Sequence, residues 1–241
     1  MSKRFFGTAA VATALTLSSS LALAAYQGGA VSGGGSISGT VKFNGTAPAP
    51  KSLDATKDKE VCGQHKILDE SLVVGSDGAL KNAVVSITNI TKGKAHDTAA
   101  KPELDQKGCV YIPHVMTAPA GAEIQIKNSD GILHNIHTYS SKNTPINRAQ
   151  PKFKKVMGET FKEPETIRVT CDAHGWMQGW IVVTDHPYYA VTDDSGNFKL
   201  TDVPPGDYEL KVWHEKLGEQ TQKVTVAGGG DAKADFTLAA K

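Results

Sequence analysis

Cys171-Asp-Ala-His174-Gly-Trp-Met177 places a thiolate, an imidazole and a thioether within seven residues, just before the apolar run Trp180-Ile-Val-Val183. A copper ion cycling between Cu(I) and Cu(II) takes two imidazole nitrogens and one thiolate in a trigonal plane, with a weak axial thioether. This one loop holds that set except for the second imidazole. His134, in Asp130-Gly-Ile-Leu-His134-Asn135-Ile-His137, is the candidate for the missing nitrogen. Cu(I) favours the soft sulfur ligands and Cu(II) accepts imidazole, so a mixed set serves both states. The competing reading makes Cys171 a small core hydrophobe and Met177 a core filler. The ordered set, with a His-Asn pair upstream, favours the metal.

Strands must position these side chains. Ser36-Ile-Ser-Gly-Thr-Val-Lys-Phe43 alternates, with Ile37, Val41 and Phe43 on one face, and Asn44-Gly45 then signals a turn. Ala83–Ile87, Cys109–Ile112 and Glu123–Lys127 read as further strands. Thr166-Ile-Arg-Val-Thr170 alternates directly into Cys171, and Gly179–Thr184 leaves the loop, so both loop ends are anchored in a sheet. Apart from a short helical turn expected around 142–158, no stretch sustains a helical period. Many short strands with closely spaced turn signals predict an all-β chain built as a β-sandwich.

From about Tyr111 to Asp185 the chain resembles the plastocyanin/amicyanin branch of the cupredoxins. The resemblance is carried by Tyr111-Ile-Pro, Gly121, Ile126-Lys-Asn-Ser-Asp130, His134-Asn135, Cys171-x-x-His174-x-x-Met177 and Gly179-Trp-Ile-Val-Val183. The two-residue gap between His174 and Met177 is the amicyanin-like spacing, whereas residues 36–110 fit only loosely as early strands. The resemblance implies a Greek-key sandwich carrying one type 1 copper that shuttles single electrons. It makes His134, Cys171 and His174 the equatorial ligands and Met177 the axial one. Asn135 then matches the residue that hydrogen-bonds across to the ligand loop. Trp176 is either part of the shell around the sulfur or an ordinary surface or core aromatic.

The C-terminal segment resembles a different family. Asp193-Asp-Ser-Gly-Asn-Phe-Lys-Leu200, Val203-Pro-Pro-Gly-Asp-Tyr-Glu-Leu-Lys-Val-Trp-His214 and Asp235-Phe-Thr-Leu238 look like the carboxypeptidase-regulatory-like, transthyretin-like sandwiches. That resemblance implies a binding or structural adjunct without catalytic residues. Gly39-Thr-Val41 and Asn82-Ala-Val-Val85 also look like that family's opening, which leaves the strand order across the two modules open. The expected organisation is a signal peptide at 1–24, a flexible Gly/Ser-rich segment at 25–36, a copper domain at 37–185 and a smaller β module at 186–241. The strand leaving the copper loop should carry that module to the opposite pole, with the face around His174 open to a partner.

Lys3 and Arg4 precede an apolar stretch from Phe5 to Leu23 that ends in Ala22-Leu-Ala24, a small-x-small cleavage signal. A membrane anchor is the alternative, but the stretch holds Thr13, Thr16 and Ser18 to Ser20 and is short for a span. Export to the periplasm or beyond the cell is therefore expected. Residues 1–24 carry two bases and no acid, so their loss takes the formal charge from +1 to −1. This near-neutral balance argues against nucleic acid or lipid as the main partner.

Three cysteines leave Cys62 and Cys109 as a disulfide pair once Cys171 binds metal, or else as two buried thiols. His137 lies three residues beyond His134 and so faces away from it in a strand. His65 and His114 lack a partner spacing, and an accessory site at either one stays open. His214 shares strand parity with Tyr208, Leu210 and Val212 and reads as inward.

Residues 142–162, between His134 and Cys171, hold Lys142, Arg148, Lys152, Lys154, Lys155 and Lys162 against the single acid Glu159. This stretch is either a solvated loop or a docking face for a redox protein such as an acidic cytochrome or dehydrogenase. A copper enzyme would need further clustered histidines, and the chain has no His-x-His pair and no Cys-x-x-Cys-His. The expected role is electron transfer without catalysis. The rival is a copper carrier or store that delivers the metal without redox cycling.

Overall fold

The computed structural model describes residues 25–240; the expected signal segment, 1–24, lies outside the described residues. The described chain is almost entirely β. Among those residues no helix is long and apolar enough to cross a membrane.

The first sandwich follows from two-residue alternation. Glu123–Asn128 turns Ile124 and Ile126 inward, and Glu165–Thr170 does the same with Ile167 and Val169. One sheet runs in the order Asn147–Gln150, His134–Tyr139, Glu165–Thr170, Gln178–Thr184, Val115–Pro119. The facing sheet runs Val156–Thr160, Glu123–Asn128, Glu103–Lys107, Val110–Ile112. Parallel pairing of Gln178–Thr184 with Val115–Pro119, and of Glu103–Lys107 with Glu123–Asn128, requires crossovers between the sheets. Leu104, Tyr111, Ile124, Ile126, Ile136, Ile167, Val169 and Ile181 fill the core, which reaches Cys171 and Met177 at one pole. Residues 142–158, expected to hold a helical turn, instead supply the strands Asn147–Gln150 and Val156 onward. Both find hydrogen-bonding edges, along His134–Tyr139 and Glu123–Asn128.

The second sandwich corrects the expected division at 185/186. Tyr189–Val191, Val84–Ile87, Gly206–His214 and Gly218–Val226 form one sheet. The other pairs Asn197–Val203 with Gly35–Asn44, whose far edge takes Asp231–Lys233 and Phe236–Ala239. Thus Gly35–Asn44 and Val84–Ile87, expected in the copper domain, belong to the C-terminal module. Their inward Ile37, Val41, Val85 and Ile87 pack with Phe198, Leu200, Leu210, Val212 and Phe236. Gly39 is needed for this arrangement, since a Cβ there would stand 1.9 Å from the Ala234 carbonyl oxygen.

The Gly/Ser-rich segment, expected to be flexible, is pinned to this module. Gln27–Gly28 pairs with Lys92–Gly93, and the Tyr26 hydroxyl donates to the Lys94 carbonyl at 2.6 Å. Composition alone missed these contacts because they are made by backbone and by a single aromatic ring.

The module also folds back along the first sandwich instead of continuing from the far pole. Gln178–Thr184 turns Ile181 and Val183 into the first core, while Trp180 and Val182 meet Val84, Val115, Val191 and Trp213. Coverage on both faces explains why this strand reads as a nearly unbroken apolar run. Glu215 then reaches His114 and accepts from Gln178 Nε2 at 2.9 Å, one residue beyond Met177.

Residues 45–82, joining the early strands of the module, have little regular structure. They are fastened across the pole that carries Cys171 and Met177 by the Cys62–Cys109 disulfide, whose Cα atoms are 5.4 Å apart. Around it, Ile67, Leu53, Val61 and Ile132 pack with Trp176.

Candidate metal centre

Cys171 immediately follows the strand Glu165–Thr170, and Met177 immediately precedes Gln178–Thr184. The two strands are antiparallel with Thr170 opposite Gln178, so 171–177 is a closed hairpin loop. The Met177 amide donates to the His174 carbonyl at 2.9 Å, which tightens it further. His134 opens the neighbouring strand His134–Tyr139, which pairs with Glu165–Thr170. The buried Tyr111 hydroxyl lies 2.7 Å from the Asn135 carbonyl and 2.9 Å from that of Thr170, tying both ligand-bearing strands from beneath.

Three of the four predicted ligands converge. Cys171 Sγ is 4.0 Å from His134 Nδ1 and 3.7 Å from His174 Nδ1, and the two nitrogens are 3.0 Å apart. Donors around one ion, at metal–nitrogen and metal–sulfur distances near 2.0 and 2.3 Å, stand about 3.4–3.8 Å from one another. The set therefore fits a single metal ion after shifts of about half an ångström. Met177 is buried in the same apolar cluster as Cys171. A second group, Cys109 with Asp130 and His134, is also close together. It offers no thiolate, because Cys109 is in the disulfide.

Each histidine is oriented from behind by a carboxylate. His134 Nε2 is 2.9 Å from Asp130 Oδ2, and His174 Nε2 is 2.8 Å from Asp58 Oδ2. A carboxylate is an acceptor, so each fixes a proton on Nε2 and leaves Nδ1 turned to the site. Asp130 is itself held by the Gly108 and Cys109 amides, at 2.6 and 2.8 Å.

The three donors are shifted in different directions. Burial opposes charge on His134, but its bonds with Asp130 and the Cys171 thiol push its pKa up to about 9. Burial also opposes the Cys171 thiolate, yet His134 and the Asn135 amide, 3.4 Å from Sγ, hold this thiol below its ordinary value. Burial pushes His174 down, against the pull of Asp58, so its imidazole is kept neutral. Thiolate and neutral imidazole are the metal-binding forms, so His134 must give up a proton when a metal binds.

Asn135 does what its position implied. Its Oδ1 accepts from the Asp172 and Ala173 amides at 2.5 and 3.2 Å, and its Nδ2 donates to Asn147 Oδ1 at 2.7 Å. Asn135→Ala should therefore cost about 1–2 kcal/mol through lost and unpaired hydrogen bonds. Hydrogen exchange at the Asp172 and Ala173 amides should rise in step, as measured by NMR. Trp176 donates from Nε1 to the Cys109 carbonyl at 3.0 Å, and its ring lies 5.1 Å from that of His174.

The remaining histidines go elsewhere. His137 is half-buried on the outer surface, 2.9 Å from Asp172 Oδ1, and His114 pairs with Glu215. Among the described residues, neither of these nor His65 joins a group of three close metal-binding donors. His214 is inward, and burial pushes it down to about 4.

The expected open face at His174 is not present. This ring is fully buried, and the cover is Asp58 from the disulfide-tied segment, not residues 186–241. Asp58 was not singled out from sequence because nothing in the irregular 45–82 stretch points to a residue 116 positions downstream. Asp130 had a local signal, a turn-forming Ser129-Asp-Gly131 four residues before His134.

The family model of the carboxypeptidase regulatory-like domain matches residues 180–239. No curated protein matches the chain. Solved structures similar to part of it include a Cu-containing nitrite reductase from Thermus scotoductus SA-01. That match has 21% identity and a TM-score of 0.31, and covers 35% of this chain and 22% of the reductase. A purple cupredoxin from Nitrosopumilus maritimus is 19% identical with a TM-score of 0.30, over 35% of this chain and all of that one. An oxidised point mutant of amicyanin is 18% identical with a TM-score of 0.32, over 48% of this chain and 94% of that one. The chain thus spans less than a quarter of the length of the nitrite reductase it matches.

Proposed function

We propose that this chain is an exported mononuclear type 1 copper protein, periplasmic or secreted, that passes single electrons between redox proteins and catalyses no reaction of its own. The observation that carries this reading is the convergence of His134, Cys171 and His174 on one buried point, each donor within 4.8 Å of the others. Met177 adds a soft donor from the same loop. Copper bound there would supply a one-electron couple between Cu(I) and Cu(II). The chain's own part is to hold one donor geometry through both states. Asp130 and Asp58 fix the rings, Asn135 stiffens the loop, and Trp176 with the strap excludes water from His174.

The same donors would suit a copper carrier. Complete burial of His174 beneath a covalently tied segment favours retention over release. One equivalent of Cu(II), added to metal-free protein and followed by visible spectroscopy, tests the proposal. An intense thiolate-to-Cu(II) band, reversibly bleached by ascorbate, is expected. A colourless, redox-silent complex would defeat the type 1 reading.

A further inference from the structure

His134 and His174 are both fully buried, so a redox partner reaches the site across a surface beside one ligand or the other. The opposite ligand, His134, directly follows an exposed turn. Leu133, its neighbour in the chain, is 48% exposed, and Phe153 on the adjacent turn is 81% exposed, the most exposed large apolar side chain among the described residues. Val156 is 45% exposed beside it. An exposed apolar patch rimmed by charged residues marks an interaction site.

The two turns are neighbours. Gln150 pairs with His134, so the turn at 151–155 leaves the sheet at the pole where the 129–133 turn enters it. Asn128 Nδ2 donates to both the Ile132 and Gln150 carbonyls, at 2.8 and 3.0 Å. Lys155 Nζ stands 4.0 Å from where a Cβ on Gly131 would be. The Phe153 turn is also anchored from within, because the buried Gln150 donates from Nε2 to the Lys154 carbonyl at 3.0 Å. Its ring is therefore presented on a tied backbone.

Charge points to one kind of partner. Lys152, Lys154 and Lys155 are all exposed around Phe153. The nearby ion pairs use other cations, Lys127 with Glu103 and Arg148 with Glu159. The nearest acids are engaged, Asp130 with His134 and two amides, and Asp105 with the Ser129 hydroxyl. The basic stretch noted in the sequence is thus divided: Lys142 bonds the Pro164 carbonyl, near the start of the strand whose other end carries Cys171.

We infer that the Leu133–Phe153 face, with Lys152, Lys154 and Lys155 around it, docks an acidic one-electron redox protein, and that electrons cross on the His134 side instead of the His174 side. The inference rests on the proposed copper function for its direction of use. One electron leaves Cu(I) for the partner's oxidised centre, or returns from its reduced centre to Cu(II). No bond is formed and no proton moves.

Two arms test it on the full chain. Poly-L-glutamate, titrated into the metal-free ¹⁵N-labelled protein, should shift amide resonances at 131–133 and 152–156 and leave residues 57–60 unmoved. Shifts centred on 57–60, or none at all, would overturn the docking face whatever the metal does. In the copper-loaded protein, oxidation of the reduced site by hexacyanoferrate(III) should slow as salt rises. Charge reversal by Lys152→Glu, Lys154→Glu and Lys155→Glu together should slow it about tenfold at low salt, the range over which steering sets association rates. Phe153→Ser, an exposed position, should weaken inhibition by poly-L-glutamate while keeping the blue band. Equal slowing by Lys57→Glu with Lys59→Glu would place the crossing over His174 and overturn the inference. Protein that binds poly-L-glutamate at this face but forms no blue band defeats the copper reading and spares the surface.

Discussion

Replacing Cys171 by Ser should abolish the intense visible band of the copper-loaded protein while leaving a folded chain. The band needs a thiolate bound to Cu(II), and among the described residues Cys171 carries the only free thiol. The substitution is close to isosteric at a fully buried position, and the hydroxyl inherits neighbours that can hydrogen-bond, namely the Asn135 amide and the two imidazoles. Loss of fold is thus not the expected route to loss of colour. Circular dichroism should match the parent protein, and the thermal midpoint should move by only a few degrees. A Ser variant that retains the band would show that another sulfur binds the metal, which would remove the basis of the assignment.

The second large effect concerns the strap. Cys62→Ser with Cys109→Ser opens a loop defined by a separation of 47 residues. The chain-entropy model values such a closure at about 4 kcal/mol, a substantial share of the stability of a domain this size. Denaturant unfolding of the metal-free double variant should give a midpoint lowered accordingly. A more local consequence should accompany it. Asp58 bonds His174 from a turn that leads into the short helix Cys62–Gln64, and the Cys62 amide donates to the Asp58 carbonyl at 2.8 Å. Freed of the bridge, this turn should leave His174 part of the time. Modification by diethyl pyrocarbonate, located by mass spectrometry, should then reach His174 in the double variant and spare it in the parent. Equal protection in both would mean that the packing of Ile67, Val61 and Trp176 holds the cover without the covalent link.

The convergence of His134, Cys171 and His174 was legible because these donors occupy two short segments whose strand context also shows in the sequence. Alternation from Thr166 into Cys171 located the loop on a sheet edge, and the hairpin Thr170–Gln178 bears that out. Asn135 was legible for the same reason: it adjoins His134. Partition between the sandwiches was harder to read. Gly39-Thr-Val41 and Asn82–Val85 carried a resemblance to the second module, yet alternation is the same in any half-buried strand, so it does not tell which core the apolar face will join. Pairing of Gly35–Asn44 with Asn197–Val203 and with Phe236–Ala239 is fixed by long-range packing. The closed face at His174 escaped for a related reason. A cover held by one carboxylate and one disulfide leaves no periodic trace in the 45–82 segment.

The interleaving of the two sandwiches sets an order of assembly on the chain. Gly35–Asn44 is synthesised well before its pairing partners Asp231–Lys233 and Phe236–Ala239, and the Ser36 hydroxyl reaches Asp231 at 2.6 Å across 195 positions. Contacts of such separation form slowly, because the intervening chain must be closed first. The sandwich that carries the candidate metal centre lies wholly within that closed stretch and can complete its own sheets beforehand. It therefore acts as a folded spacer that brings the two halves of its host together, and loss of Asp231–Lys233 and Phe236–Ala239 would strip Gly35–Asn44 of one of its two paired edges.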